Sequence, residues 1–153
     1  MIKFLILTFV CALLLSCSKD DDTINTLQID PNNGQPLSGT WTGTWDFSTT
    51  DGTIACMDDK TFILEQIGGN FSGNGSFVAQ QPIQSGCETD GTFTIPTGSI
   101  NGNDITMTWD FGDNVIATAT GTINADLTVM TLYATETDDG VLDGGGDIII
   151  TKQ

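Results

Sequence analysis

The 153-residue chain has no histidine and no arginine, and its four lysines stand against 20 aspartates and glutamates. Each absence removes a class of function. Without histidine there is no Ser-His-Asp or Cys-His arrangement and no imidazole metal centre. Nucleic-acid binding needs cations that displace counterions from phosphate, and a formal charge of −16 leaves none to spare. The same balance opposes adhesion of the folded part to anionic lipid. The cysteines, Cys11, Cys17, Cys56 and Cys87, include no CxxC pair of the kind that binds zinc. Beyond the first residues, no stretch shows the 3.6-residue period of an amphipathic helix.

The one long apolar run lies at the front. Phe4 to Leu15 follows Lys3 and is interrupted only by Thr8. As a helix it would be about 18 Å long against a hydrocarbon core of about 30 Å, too short to span but suited to a secretory leader with small Ser16 at its end. Leu14-Leu15-Ser16-Cys17 resembles the lipobox of bacterial lipoproteins, which implies that the Cys17 thiol is acylated and becomes the new N-terminus. Ser18-Lys19-Asp20-Asp21-Asp22 is similar to the acidic export signal of surface lipoproteins of the Bacteroidota; a solvated charge run opening a tether is the plainer reading. Together these resemblances imply an outer-membrane, lipid-anchored protein at the cell surface, held by more than one acyl chain. Asp22-Thr23-Ile24 resembles the O-glycosylation motif of the same bacteria. The expected organisation is a leader at 1–16, a lipidated cysteine and acidic tether at 17–37, and one folded domain at 38–153.

With Cys11 removed and Cys17 acylated, Cys56 and Cys87 remain. Two thiols in an exported domain are expected to form a disulfide, closing a loop that stabilises the fold by roughly 3–4 kcal/mol in the chain-entropy model. A metal-binding pair is the alternative, with no histidine to complete it.

Alternation dominates the rest. In SGTWTGTWDF, Trp41, Gly43, Trp45 and Phe47 share one face and Thr40, Thr42, Thr44 and Asp46 the other; in DITMTWDF, Ile105, Met107, Trp109 and Phe111 oppose Thr106, Thr108 and Asp110. Period two means a strand with one apolar face. Further strands are expected near Lys60–Ile67, Phe71–Ala79, Gly91–Ile95, Val115–Asn124, Leu127–Thr137 and Asp147–Lys152. Gly68-Gly69-Asn70, Asn101-Gly102-Asn103 and Asn124-Ala125-Asp126 suit tight hairpins between them. The fold class is therefore all-β, an antiparallel meander of about eight strands that closes into a small barrel and so removes its edges. A two-sheet β-sandwich is the alternative. Gly39-Thr40-Trp41 resembles the Gly-x-Trp opening of lipocalins and avidins, and the glycine-rich meander is similar to bacterial lipocalin-like domains. Lipocalins commonly pack an arginine on that tryptophan; here Lys152 is the substitute on offer.

The chemistry within reach is limited. Glu65 and Glu88 are conceivable as a glycosidase pair, but nothing in their surroundings marks either as buried, and an enzyme is not expected. Asp138, Asp139, Asp143 and Asp147 in TDDGVLDGGGD offer oxygens for calcium, although the spacing departs from an EF-hand loop and a flexible acidic hairpin loop is the plainer reading. No other cofactor is implied. Trp45 and Trp109 are the candidate wall residues of a cavity for a small apolar molecule or a glycan, the alternative being that aromatic residues fill the barrel. The expected function is a non-enzymatic, surface-anchored lipoprotein that binds such a ligand in a lipocalin-like barrel. The other reading is an interaction module that contacts another envelope protein.

Overall fold

The computed structural model describes residues 36–153. The leader, Cys17 and the acidic tether before Pro36 lie outside the described residues.

Eight antiparallel strands follow one another around a closed barrel, with no helix among the described residues: β1 (Gly39–Thr49), β2 (Ala55–Ile67), β3 (Asn70–Ala79), β4 (Asp90–Asn101), β5 (Asp104–Gly112), β6 (Val115–Ile123), β7 (Val129–Asp138) and β8 (Val141–Lys152). Every strand pairs with its neighbour in sequence, and β1 closes the ring on β8 from Trp41↔Lys152 to Thr49↔Gly144. The meander is the expected one, the barrel replaces the sandwich, and the architecture is compatible with a lipocalin-like fold. The period-two pattern drives it. On β1, Trp41, Trp45 and Phe47 are buried while Asp46 and Ser48 are exposed. Closure lets each strand bury one apolar row without leaving an unpaired edge.

Three strands extend beyond their expected limits. β4 continues past Ile95 because the ladder to β5 skips between Thr94 and Thr97, a bulge at Pro96, whose missing N–H could not serve a regular ladder. β8 starts at Val141, so Gly144, Gly145 and Gly146 belong to a strand. A bulge at Glu136/Thr137 leaves Asp143 without a partner on β7. β2 starts at Ala55, ahead of the aspartates that disguise its beginning.

One pole is sealed. Leu37, placed by sequence at the end of the tether, is fully buried; its N–H donates to Gln66 Oε1 (2.8 Å) and its carbonyl accepts the Trp41 Nε1 hydrogen (2.9 Å). Burial of that side chain contributes about 1.5–3 kcal/mol. Gln66 also donates to the Gly68 carbonyl, and the Lys152 ammonium donates to the Pro36 carbonyl. The same ammonium lies 5.8 Å from the Trp41 ring centroid, the contact expected in place of the lipocalin arginine. Above this plug, Phe62, Leu64, Ile95, Met107, Trp109, Leu132 and Ile148 fill the lower barrel.

A charged cup at the open end of the barrel

At the other pole the barrel is hollow. A cavity of about 630 Å³ opens between the β1–β2, β3–β4, β5–β6 and β7–β8 connections. The period-two register carries each inward row past the apolar core and into this cup. On β2 the row Leu64, Phe62 continues to Lys60 and Asp58; on β7 the row Leu132, Ala134 continues to Glu136. The bulge supplies Asp143 to the same space, as bulges re-aim side chains at barrel rims.

Lys60 forms the floor. It is 2 % exposed, and five aromatic rings surround its ammonium: Phe77 at 4.5 Å, Trp45 at 4.7 Å, Phe111 at 5.1 Å, Phe93 at 5.6 Å and Trp109 at 5.9 Å from ring centroid to Nζ. The faces of these rings attract a cation and replace part of the hydration that burial removes. Asp58 supplies an ion pair at 3.7 Å, the one ion pair among the described residues. Burial still outweighs it and pulls the Lys60 ammonium down to about 8, while Asp58 and more distantly Glu136 and Glu88 resist. Glu136 is pushed up to about 7, chiefly by burial and then by the negative charges of Asp143, Glu88 and Asp58, with Lys60 opposing. Burial also raises Asp58.

The packing that holds these rings in place uses glycine. Phe77 lies opposite Gly91 in the β3–β4 ladder, and a Cβ added to Gly91 would meet the Phe77 ring at 2.5 Å. Only a residue without a side chain allows the ring to lie flat across the neighbouring strand.

The rim is braced. Cys56 and Cys87 form the expected disulfide, with Cα atoms 5.7 Å apart, fixing the long β3–β4 connection to the start of β2. Asn114 Nδ2 donates to Asp139 Oδ1 (2.9 Å), tying the β5–β6 turn to the β7–β8 turn. Asp51 accepts from the Thr49 and Thr53 hydroxyls and the Thr53 N–H, ordering the β1–β2 turn, and these bonds hold its carboxyl below the ordinary value.

The residues singled out by sequence are distributed unevenly. Trp45 lines the cup, its Nε1 donating to the Gly146 carbonyl (3.3 Å). Trp109 lies deeper, fully buried against Trp45, Phe62 and Phe93, and is not part of the cavity wall. Its Nε1 has no hydrogen-bond partner among the described residues. The four aspartates are not gathered into one site: Asp138 and Asp143 line the cup, Asp139 binds Asn114 in the turn, and Asp147 is exposed on the outer face of β8. Among the described residues no group of three or more cysteine or carboxylate side chains is placed to hold a metal ion. Glu65 is exposed on β2 and Glu88 stands at the rim, so they are not brought together as an acid–base pair. Lys60 and Glu136, central to the cup, escaped sequence reasoning. The available signal was the alternation itself, continued from Phe62 to Lys60 and from Leu132 to Glu136.

The sequence matches no protein-family model and no curated protein.

Proposed function

We propose that the protein is a non-enzymatic binding protein that takes a small ligand with an apolar body into the open end of its barrel, and that it is displayed at the bacterial cell surface on a lipid anchor at Cys17. The observation that supports the first half is the cup itself. Its volume of about 630 Å³ falls in the range of small-molecule sites, and Trp45, Phe47, Phe77 and Phe111 give it an apolar wall within a lining otherwise rich in charged groups. A barrel filled to both poles would instead favour the interaction module. The anchor is supported by the apolar run that ends at Leu14-Leu15-Ser16-Cys17.

Tryptophan emission of the full chain, titrated with a panel of lipids and glycans, tests the binding. A saturable change that Trp45→Phe abolishes is expected for ligands entering the cup. An emission that no member of the panel alters would favour the interaction module. Labelling with a palmitate analogue tests the anchor: label on the wild type and none on Cys17→Ala is expected, and label retained by that variant refutes it.

A further inference from the structure

The cup is far from electrically neutral. Asp58, Glu88, Asp113, Glu136, Asp138 and Asp143 line it against the single ammonium of Lys60. Asp58 takes the one ion pair, and the other five carboxylates have no ion-pair partner among the described residues. Charges of one sign inside a cleft with low-dielectric walls focus the field and raise the local concentration of the opposite sign. A ligand carboxylate that reached for Lys60 would have to pass and face these six groups. The apolar walls add a second preference. Trp45, Phe77 and Phe111 line the cavity and also surround the Lys60 ammonium, so the protein already holds one alkylammonium against these rings. The space is too large for a bare ion, and no three carboxylates gather as a metal site would require among the described residues.

We infer that the cup selects organic cations: ammonium compounds with an aliphatic or aromatic body, the body packed against Trp45, Phe47, Phe77 and Phe111 and the cationic head held by the carboxylates of β7, β8 and the rim. This rests on the reading of the cup as a ligand site and names the class of ligand. Lys60 then acts as a built-in counter-charge. It neutralises the deepest carboxylate, Asp58, and leaves the acids nearer the opening to the ligand. The Glu136 carboxyl is raised chiefly by burial, and repulsion from Asp143, Glu88 and Asp58 adds to this against the attraction of Lys60. A bound cation would relieve that repulsion and release the proton from Glu136.

Three probes with one body separate the possibilities: 4-phenylbutylammonium, 4-phenylbutanol and 4-phenylbutyrate, titrated into the full chain at pH 8 with tryptophan emission as the readout. The ammonium is expected to bind about tenfold more tightly than the alcohol, with the carboxylate weakest, and its advantage is expected to shrink as salt is added. Combining Glu136→Gln with Asp143→Asn is expected to narrow the ratio of ammonium to alcohol affinity, and an unchanged ratio overturns the assignment of the cationic head to these acids. Equal binding of all three overturns the charge selection while the ligand cup stands. Tightest binding by the carboxylate overturns it as well and makes Lys60 the anchor. No binding by any probe removes both readings, and a response to calcium alone replaces the organic cation with a metal.

Discussion

Glu136→Gln is expected to stabilise the protein, by an amount that opens as pH rises above about 4.5 and is complete a little above 7. The carboxyl of Glu136 titrates near 7 in the fold, against an ordinary value of 4.5. Between those values the folded state keeps a proton that the unfolded chain has released. Stability contributed by the protonated group is therefore fully present below pH 4.5 and lost as pH rises through 7. The gap corresponds to about 3 kcal/mol, and the group's partial contact with water reduces this to about 2 kcal/mol. The attraction to Lys60 is contained in that value up to neutral pH; Lys60 titrates near 8, so its attraction weakens at the top of the range and adds to the cost of an ionised Glu136 there. Glutamine keeps the shape of the protonated acid and cannot ionise. The variant should therefore match the wild type at pH 4.5 and exceed it by about 2 kcal/mol at pH 8, or about 8 °C in melting temperature for a domain of this size. Urea unfolding of both proteins from pH 4.5 to 8, with equal m-values, measures the difference directly. Asp51 and Asp58 titrate in both proteins, so their effects cancel to first order. A difference that stays constant with pH, or a variant less stable at pH 8, would show that Glu136 does not ionise under strain in the cup.

Two further perturbations act on the rim and walls. Gly91→Ala places a methyl 2.5 Å from the Phe77 ring, forcing it off the neighbouring strand; a loss of about 1–3 kcal/mol in urea unfolding is expected, with weaker binding of any ligand that quenches Trp45. Unchanged stability and unchanged binding would mean that the ring finds an equivalent seat. Replacing Cys56 and Cys87 together by alanine opens a loop with a sequence separation of 31 and should remove roughly 3–4 kcal/mol. A loss below about 1 kcal/mol would show that the β3–β4 connection is held by its other contacts rather than by the cross-link.

The barrel was readable from sequence because alternation is a backbone property. Trp41, Trp45 and Phe47 point one way whatever lies opposite, and short glycine and asparagine turns leave few ways to connect the strands. Element ends were less readable where local chemistry imitates a loop. Pro96 stops a regular ladder, yet a bulge carries β4 past it to Asn101. Gly144-Gly145-Gly146 looks like a loop, but Gly146 is where the chain passes close to β1: a Cβ there would lie 1.6 Å from the Asp46 carbonyl oxygen. The cup was harder still. Phe62, Ile63 and Leu64 are all apolar, so local sequence does not say which face of β2 is inside; the register places Phe62, Leu64 and hence Lys60 inward, with Ile63 outside. A lysine read alone looks solvated, and only closure of the ring brings rings from β1, β3, β4 and β5 around its ammonium. Trp109 shows the converse. Its alternation was legible and its depth was not.

The plug at the sealed pole gives the molecule a polarity. Pro36 meets Lys152 at one tip of the barrel axis, and the charged opening faces away from it at the other. Whatever precedes Pro36 therefore joins the domain at its base. The point of attachment and the mouth thus lie at opposite ends of the barrel axis, so a chain entering at Pro36 leaves the approach to the carboxylates clear.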